Sequence, residues 1–326
     1  MEEVSRRRPV GRRVALEVLT LAIVACLVVS CSTQSPPADR TAPGRTASGA
    51  PTAPGSASAR SASPVPPTTA DEALRRLTTV ARDARALARR LDRAAATLRG
   101  HRATADDVRR AAEFQQLAIG ALATAPDAFR RRVTSRLHPQ TAVVVRGAVR
   151  AARLLHALTR PQRRLPRWRI VAPPPARDLL GYYRSAQRHT GVPWTYLAAI
   201  HLVETRMGRI RGASTAGALG PMQFLPSTWK LYGAGGDIND AHDAILAAAR
   251  LLKANGAPGD MAEALRHYNA STEYVQAVIE YARTMTRSRS AYRGYWHWRV
   301  LYRTARGTYV LPVGYPAVRP VLVRAG

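Results

Sequence analysis

Residues 191–208 read GVPWTYLAAIHLVETRMG, and this stretch decides the fold class of the second half of the chain. Pro193 suits the first turn of a helix. On that helix Leu197, Ile200 and Glu204 share one face, because residues three and four apart lie one above the other. A carboxylate in line with an apolar stripe costs stability unless it is paired or lies in a cleft. The stretch therefore predicts a helix with one buried face and a candidate acid/base near its end.

Glu204 has two interpretations on this evidence. Partial burial would raise its pKa, the property that a general acid near neutral pH needs. Alternatively, Glu204 lies at the edge of the stripe and reaches solvent or pairs with Arg206 or Arg209. His201, one turn earlier on the same face, is either a partner of Glu204 or a core residue, and a core position is favoured.

A second stretch, residues 214–229, reads STAGALGPMQFLPSTW. Its glycines and Pro221 permit a tight turn at which backbone can approach a ligand. Gln223 offers an amide donor and an acceptor, which an acetamido substituent on a sugar would require. Pro226 suits the start of the next helix. The second stretch therefore predicts a tight turn followed by a helix.

Four segments in this order resemble the lytic transglycosylase family with a goose-type, lysozyme-like catalytic domain. The nearest likeness within it is to the membrane-bound lytic murein transglycosylase B group and its actinobacterial relatives. The resemblance covers roughly residues 177–285, and it departs from many relatives at Thr205, where they have Ser, and at Pro221, where they have Leu. The segments are ETR at 204–206 with GRI at 208–210, GALGPMQF at 217–224, GDI at 236–238 with DAI at 243–245, and ALRHYN at 264–269.

The resemblance implies a reaction and a set of site residues. Glu204 would protonate the glycosidic oxygen between N-acetylmuramic acid and N-acetylglucosamine, then accept a proton from the muramic C6 hydroxyl, which closes to a 1,6-anhydro product. No cofactor and no second carboxylate are implied, because the substrate's own acetamido group can stabilise the intermediate. The implied substrate-binding residues are Ser214, Met222, Gln223, Tyr268 and Asn269.

Two further groups of residues have a structural and a functional interpretation. Three aspartates between the loop and the next helix could supply a second carboxylate, but capping and orienting that helix is favoured: Asp237, Asp240 and Asp243. Several aromatic residues could stack on sugars, and packing in the core is at least as well supported: Tyr274, Tyr281 and the cluster at 295–298.

The composition is strongly basic, with 50 Lys plus Arg against 21 Asp plus Glu and a formal net charge of +29. Nearly all of the positive charge comes from Arg. A GC-rich coding bias, with the arginines on solvated faces, explains this excess as well as attraction to a polyanion does. Nucleic acid, anionic lipid and an anionic cell wall would all serve as that polyanion. The two cysteines lie at 26 and 31 and the eight histidines are scattered. We therefore predict no metal site and no disulfide framework beyond residue 31.

The N-terminus reads as an export signal. Arginines within the first 13 residues precede an apolar run at 18–29 that is too short for a permanent membrane span. The run ends in LVVSC at 27–31, which resembles the bacterial lipobox and predicts lipidation of Cys31. An ordinary signal peptide or an uncleaved anchor with an incidental cysteine is the alternative. The lipoprotein would be held at the outer face of the cytoplasmic membrane, facing the wall, which argues against a nucleic-acid partner.

The predicted fold is mainly α, with a lysozyme-like catalytic domain, an N-terminal helical region and a small C-terminal β-hairpin. Helices are predicted at about 71–99, from Thr104, and at about 142–159, and the hairpin strands at 299–304 and 308–313. Packing support is the favoured role of the helical region, ahead of a partner surface or a wall-binding module. The boundaries are 1–30 signal peptide, 31–70 disordered Ser/Pro/Ala-rich linker, 71–160 helical region, 161–176 connector, 177–287 catalytic domain and 288–326 β-rich tail.

The leading function is thus a peptidoglycan lytic transglycosylase. A muramidase-type hydrolase of the same bond and a non-catalytic wall-binding lipoprotein remain as alternatives. A nucleic-acid binder is supported by charge alone and is contradicted by the leader. The expected partners are peptidoglycan glycan strands and the membrane, through the lipid, with anionic wall polymers as candidates for the Arg-rich surfaces.

Overall fold

The computed structural model describes residues 83–323. Within them it is mainly helical, with a small antiparallel sheet near the C-terminus, which confirms the predicted fold class. The helices are α1 Ala84–Arg99, α2 Ala105–Thr124, α3 Asp127–Thr134, α4 Pro139–Ala157, α5 Ala176–Thr190, α6 Trp194–Thr205, α7 Pro226–Tyr232, α8 Ala241–Ala254, α9 Met261–Tyr268, α10 Thr272–Arg287 and α11 Arg289–Trp296. The strands are β1 Arg169–Ile170, β2 Ile210–Arg211, β3 Val300–Thr304, β4 Gly307–Leu311 and β5 Val321–Val323.

Capping residues set the starts of the N-terminal helices. Asp83 accepts hydrogen bonds from two backbone amides at the start of α1, and Thr104 accepts one from Asp107 at the start of α2. The α2 start is the one that the sequence predicts. Helix α3 was not predicted, because its eight residues follow Pro126 without a side-chain cap and carry a single buried residue, Val133. The predictions for residues 1–82, including lipidation of Cys31, lie outside the described residues.

The helical region packs directly on the catalytic domain through α4 and α10. Gly147 on α4 faces Thr284 on α10 so closely that a Cβ added at Gly147 would lie 2.2 Å from Thr284 Oγ1. Buried side chains from both halves form one continuous core. The favoured role of the helical region, packing support, therefore agrees with how its helices lie.

The predicted connector, residues 161–176, contains a short strand. Its β1 pairs antiparallel with β2, which follows α6, with Ile170 opposite Ile210. The backbone amide of Gln162 donates to Arg303 O in β3. The connector thus joins the segment after α6 to the C-terminal sheet.

The predicted C-terminal hairpin exists, but the tail holds more than that. Strands β3 and β4 pair antiparallel around a turn at Ala305 and Arg306, and β5 adds a third strand on the β4 side. The tail, predicted as β-rich from residue 288, begins instead with helix α11. Its Tyr292 and Tyr295 are buried, so alternation of aromatics with Arg marked a helix face here rather than a strand.

Helix α6 lies at the centre of the catalytic domain and is buried on every side from Leu197 to Thr205. The sequence predicted one buried face, so that expectation was too narrow. The helix ends where Arg206 takes a left-handed conformation. No helix in the described part of the chain has the length and apolar character needed to cross a membrane.

Candidate active site

Glu204 occupies the last turn of α6 and is 5% exposed. Its Oε1 accepts a 2.6 Å hydrogen bond from the Tyr274 hydroxyl in the first turn of α10. Ser271 caps α10 by accepting from the Tyr274 amide, which fixes the start of the helix that presents this hydroxyl. Two helices that are far apart in sequence thus meet at one carboxyl group.

Burial raises the pKa of Glu204 from 4.5 to about 7, and the hydrogen bond from Tyr274 opposes that rise because it favours the charged form. Near neutral pH the carboxyl group is therefore present in both protonation states. A group of this kind can give up a proton in one step and accept one in the next. This interpretation of Glu204 replaces the alternative of an exposed residue at the edge of a stripe.

The sequence allows Arg209 as an ionic partner of Glu204, but the structure places its side chain elsewhere. Its guanidinium lies over the Trp296 ring, 5.5 Å from the centroid, and donates to Arg206 O. Arg209 thereby packs the end of α6 against α11.

The loop of residues 212–225 forms a tight turn beside Glu204's helix. Leu219 and Phe224 exchange two backbone hydrogen bonds of 2.8 and 2.9 Å, and Gln223 takes a φ of 51°. Gly220 has a φ of 73°, and a Cβ there would lie 1.8 Å from Ile238 O, so only glycine fits. The predicted turn is present, and its glycine is required by close backbone packing.

Two hydroxyl groups hold consecutive carbonyls of this turn. Thr205, the residue after Glu204, donates to Pro221 O at 2.6 Å and accepts from the Gly208 amide. Tyr268, at the end of α9, donates to Met222 O at 2.5 Å. The turn is therefore fixed directly to the helix that carries the candidate acid. We call this arrangement the loop clamp.

Of the five predicted substrate-binding residues, Ser214, Met222 and Gln223 lie in this loop, Tyr268 contacts it, and Asn269 follows Tyr268 at the end of α9. Ser214 accepts from the Ala216 and Ala218 amides and so shapes the loop. Met222 is fully buried. Gln223 is half-buried and donates to Gly220 O at 3.0 Å. Asn269 is 5% exposed, its Oδ1 accepts from the Ser271 amide, and its Nδ2 has no hydrogen-bond partner among the described residues.

Tyr274 is the site residue whose role the sequence did not give. Spacing places it on an apolar face of α10, where stacking on sugar or core packing were the two interpretations. No local signal distinguishes a tyrosine that packs from one that donates to a carboxylate 70 positions away. Tyr281, Tyr295 and Trp298 are buried and pack edge to face on one another, as core residues do.

His201 is a core residue, as favoured. Its Nδ1 lies 2.7 Å from the Tyr183 hydroxyl, while Nε2 has no hydrogen-bond partner among residues 83–323. Burial, with smaller contributions from Arg211 and Arg209, lowers its pKa to about 3, so the ring is neutral at physiological pH.

The three aspartates shape the start of α8, in line with the favoured structural role. Asp240 caps α8 by accepting from the Asp243 amide, Asp243 accepts from the Asp237 amide, and Asp237 accepts from the Asn239 amide in the preceding turn. Asp240, His242 and Asp243 bring ligand atoms within 4.8 Å of one another, as a metal-binding group would. These side chains are exposed or half-buried, and both aspartates are already used by backbone amides. Their arrangement is explained by the helix start.

Residues 181–290 match the family model described as Transglycosylase SLT domain. The match covers about a third of the chain and supports a lysozyme-like domain of the lytic transglycosylase type in this segment, with action on peptidoglycan in general. The match begins inside α5 and ends in the first turn of α11, and it includes Glu204, the loop clamp and Tyr274. Neither the curated proteins nor the solved structures gave a match to this chain.

Proposed function

We propose that the protein is a lytic transglycosylase that cleaves the bond between N-acetylmuramic acid and N-acetylglucosamine, with Glu204 as its single acid and base. The observation that carries the proposal is the buried Glu204 carboxyl group, hydrogen-bonded to Tyr274, with a pKa of about 7. Its environment suits both proton transfers that the reaction needs.

In the first step, protonated Glu204 donates its proton to the glycosidic oxygen as the bond from muramic C1 to that oxygen breaks. The Tyr274 hydrogen bond then stabilises the carboxylate that is left. In the second step the carboxylate accepts the proton of the C6 hydroxyl, whose oxygen bonds to C1. The product is the 1,6-anhydro ring, and the nucleophile is already positioned because it belongs to the same sugar.

The described residues offer one buried carboxyl group for the reaction, which agrees with a mechanism that uses a single acid and base. Glu113 and Glu204 are the buried carboxylates in residues 83–323, and Glu113 is paired with Arg299 at 2.6 Å. In the proposed scheme the substrate's acetamido group takes the place of a second carboxylate. The loop clamp presents the half-buried Gln223 amide, which can hydrogen-bond such a substituent.

The test is mass spectrometry of soluble fragments released from purified peptidoglycan by the full chain in detergent. We expect anhydro-muropeptides from the wild type, none from Glu204→Gln, and unchanged release by Glu263→Gln, whose exposed carboxylate lies on α9. Fragments with reducing ends would make the protein a muramidase-type hydrolase. No release by any form would support a non-catalytic wall-binding protein.

We further propose that the protein is exported and lipid-anchored through Cys31, on the sequence evidence of its basic start, short apolar run and LVVSC ending. A Cys31→Ala variant should lose acylation and leave the membrane fraction. Membrane retention by that variant would instead indicate an uncleaved anchor.

A further inference from the structure

Residues 128–170 hold twelve arginines and neither an aspartate nor a glutamate. A stretch this one-sided repels itself, which costs stability in the absence of counter-charges. Eleven of these arginines are exposed: Arg131, Arg132, Arg136, Arg146, Arg150, Arg153, Arg160, Arg163, Arg164, Arg167 and Arg169.

Three of them form one row along α4. Arg146, Arg150 and Arg153 follow one another at spacings of four and three, so they project from the same face of the helix. The opposite face, which includes Val144, Ala148 and Leu155, is buried. We call this row the arginine ridge.

The neighbouring helices α3 and α10 contribute more positive charge than negative charge around the ridge. Arg146 Nη2 donates to Thr134 O at the end of α3, which brings that helix beside the ridge, and α3 carries the exposed Arg131 and Arg132. On the other side, Glu280 of α10 lies 3.4 Å from Arg150 and neutralises one guanidinium. The surface remains strongly positive.

The ridge is tied to the helix that contacts Glu204. Glu280, which pairs with Arg150, and Tyr274, which donates to Glu204, both lie on α10. They are six positions apart, or about 9 Å along the helix axis, and their side chains point about 120° apart around it. The ridge and the candidate acid thus lie on different sides of α10 at a small axial separation, which a long polymer can bridge.

We propose that the arginine ridge binds the carboxylate groups of peptide stems on peptidoglycan, and so holds the wall against the catalytic domain. The inference rests on the proposed function, because it takes the wall as the substrate. Guanidinium groups pair well with carboxylates, and several weak exposed pairs on one polymer act together. The ridge faces solvent in a row, as an extended polyanion requires.

The experiment measures binding of the full chain in detergent to purified peptidoglycan from which acid extraction has removed phosphate-bearing polymers. The test variant is R146Q/R153Q, which leaves the pair between Arg150 and Glu280 intact. Its matched control is R177Q/R184Q on α5, which removes two exposed arginines at the same seven-residue spacing. All proteins carry Glu204→Gln, so that the wall is not consumed.

We expect R146Q/R153Q to bind roughly fivefold more weakly, the size expected for two exposed ion pairs, and the α5 control to bind as the parent does. R146K/R153K should retain most of the binding, because it keeps both charges. High salt should weaken binding of the parent. Thermal unfolding checks that each variant is folded. If R146Q/R153Q does not fold, binding of R146K/R153K is compared with that of the parent instead.

Equal losses in both Gln variants would overturn the proposal, because net charge would then account for binding. Binding that disappears on acid extraction would also overturn it, in favour of a phosphate-bearing polymer. Cleavage of a short glycan without peptide stems by wild type tests the proposed function separately. If the wild type does not cleave the short glycan but still binds the wall through the ridge, the ridge proposal stands and the proposed reaction is wrong.

Discussion

The Tyr274 hydroxyl donates a 2.6 Å hydrogen bond to Glu204 Oε1, and this contact joins the start of α10 to the end of α6. The two helices run antiparallel, because Thr195 at the start of α6 lies 3.3 Å from Thr286 at the end of α10, hydroxyl to hydroxyl. The long packed helix pair therefore holds the acid and its donor in register.

Replacing Tyr274 with Phe should raise the pKa of Glu204, because the hydrogen bond that lowers it is lost. The fall of kcat/KM at high pH, where the acid is deprotonated, should move to higher pH. We expect kcat/KM at its maximum to drop about tenfold, since the carboxylate left after proton transfer is less stabilised. The measurement is a pH profile of fragment release.

The control for Tyr274 is Tyr281→Phe, which removes another buried hydroxyl from α10 at a distance of two turns. Its profile should keep the wild-type position. A shift of the same size in both variants would mean that α10 packing, and not the hydrogen bond, sets the pKa.

Glu204→Gln should stabilise the fold at high pH. Between pH 4.5 and about 7 the folded protein retains a proton on Glu204 that the unfolded chain releases, so wild-type stability falls as pH rises through this window. The variant has no such loss. Its advantage in the free energy of unfolding above pH 7 should be on the order of 3 kcal/mol, or several degrees in Tm.

At pH 4 the Glu204 carboxyl group is mostly protonated in both the folded and the unfolded wild-type protein. The wild type and Glu204→Gln should therefore unfold at similar temperatures at this pH. Thermal unfolding at pH 4 and pH 8 gives the comparison. An advantage that is equal at the two pH values would contradict a raised pKa in the folded state.

From the loop clamp we predict that the Thr205 hydroxyl positions the loop of residues 212–225. Thr205→Val keeps the shape and loses the 2.6 Å bond to Pro221 O, so the turn that carries Gln223 should shift. We expect kcat/KM to fall about tenfold, chiefly through KM, because the cost of a displaced binding group is of that order. Thr205→Ser should stay close to wild type.

Thr195→Val is the matched control, because Thr195 is a buried threonine at the other end of the same helix. It should lose stability without a change in KM. A rise in KM for both valine variants would assign the effect to helix packing.

Gly147→Ala should destabilise the protein by about 1–3 kcal/mol, although alanine is favoured over glycine in helices. The reason is the close approach to Thr284, whose Oγ1 lies 2.2 Å from where a Cβ would stand. The second substitution Thr284→Ala should recover part of that loss. Chemical unfolding of both single variants and the double variant measures the coupling.

Additive effects in that cycle would mean that α4 and α10 adapt independently, and that the helical region supports the catalytic domain less directly than the packing indicates. Gly120→Ala, at a helical glycine of α2 with open space around it, is the control and should stabilise.

Much of this molecule follows from local signals. Helix periodicity and caps gave α2 and α6, and the glycines around Leu219 gave the tight turn, because such signals act within a few residues. Two helices were not predicted. Helix α3 is short and has little apolar pattern, and helix α11, at the start of the tail, alternates Arg with aromatic residues. Strand β5 has three residues and is stabilised by pairing with β4, which no local pattern shows.

The sequence by itself indicated the fold class, the candidate acid Glu204 and the loop that carries Gln223, because four short segments in the right order resemble those of a known family and each segment can be recognised locally. Only the tertiary structure decided that Glu204 is buried and that Tyr274 donates to it. Only the fold, likewise, showed that Thr205 and Tyr268 clamp the loop. These features join positions up to 70 residues apart, and the pKa of a carboxyl group depends on the solvent that the whole fold removes from around it.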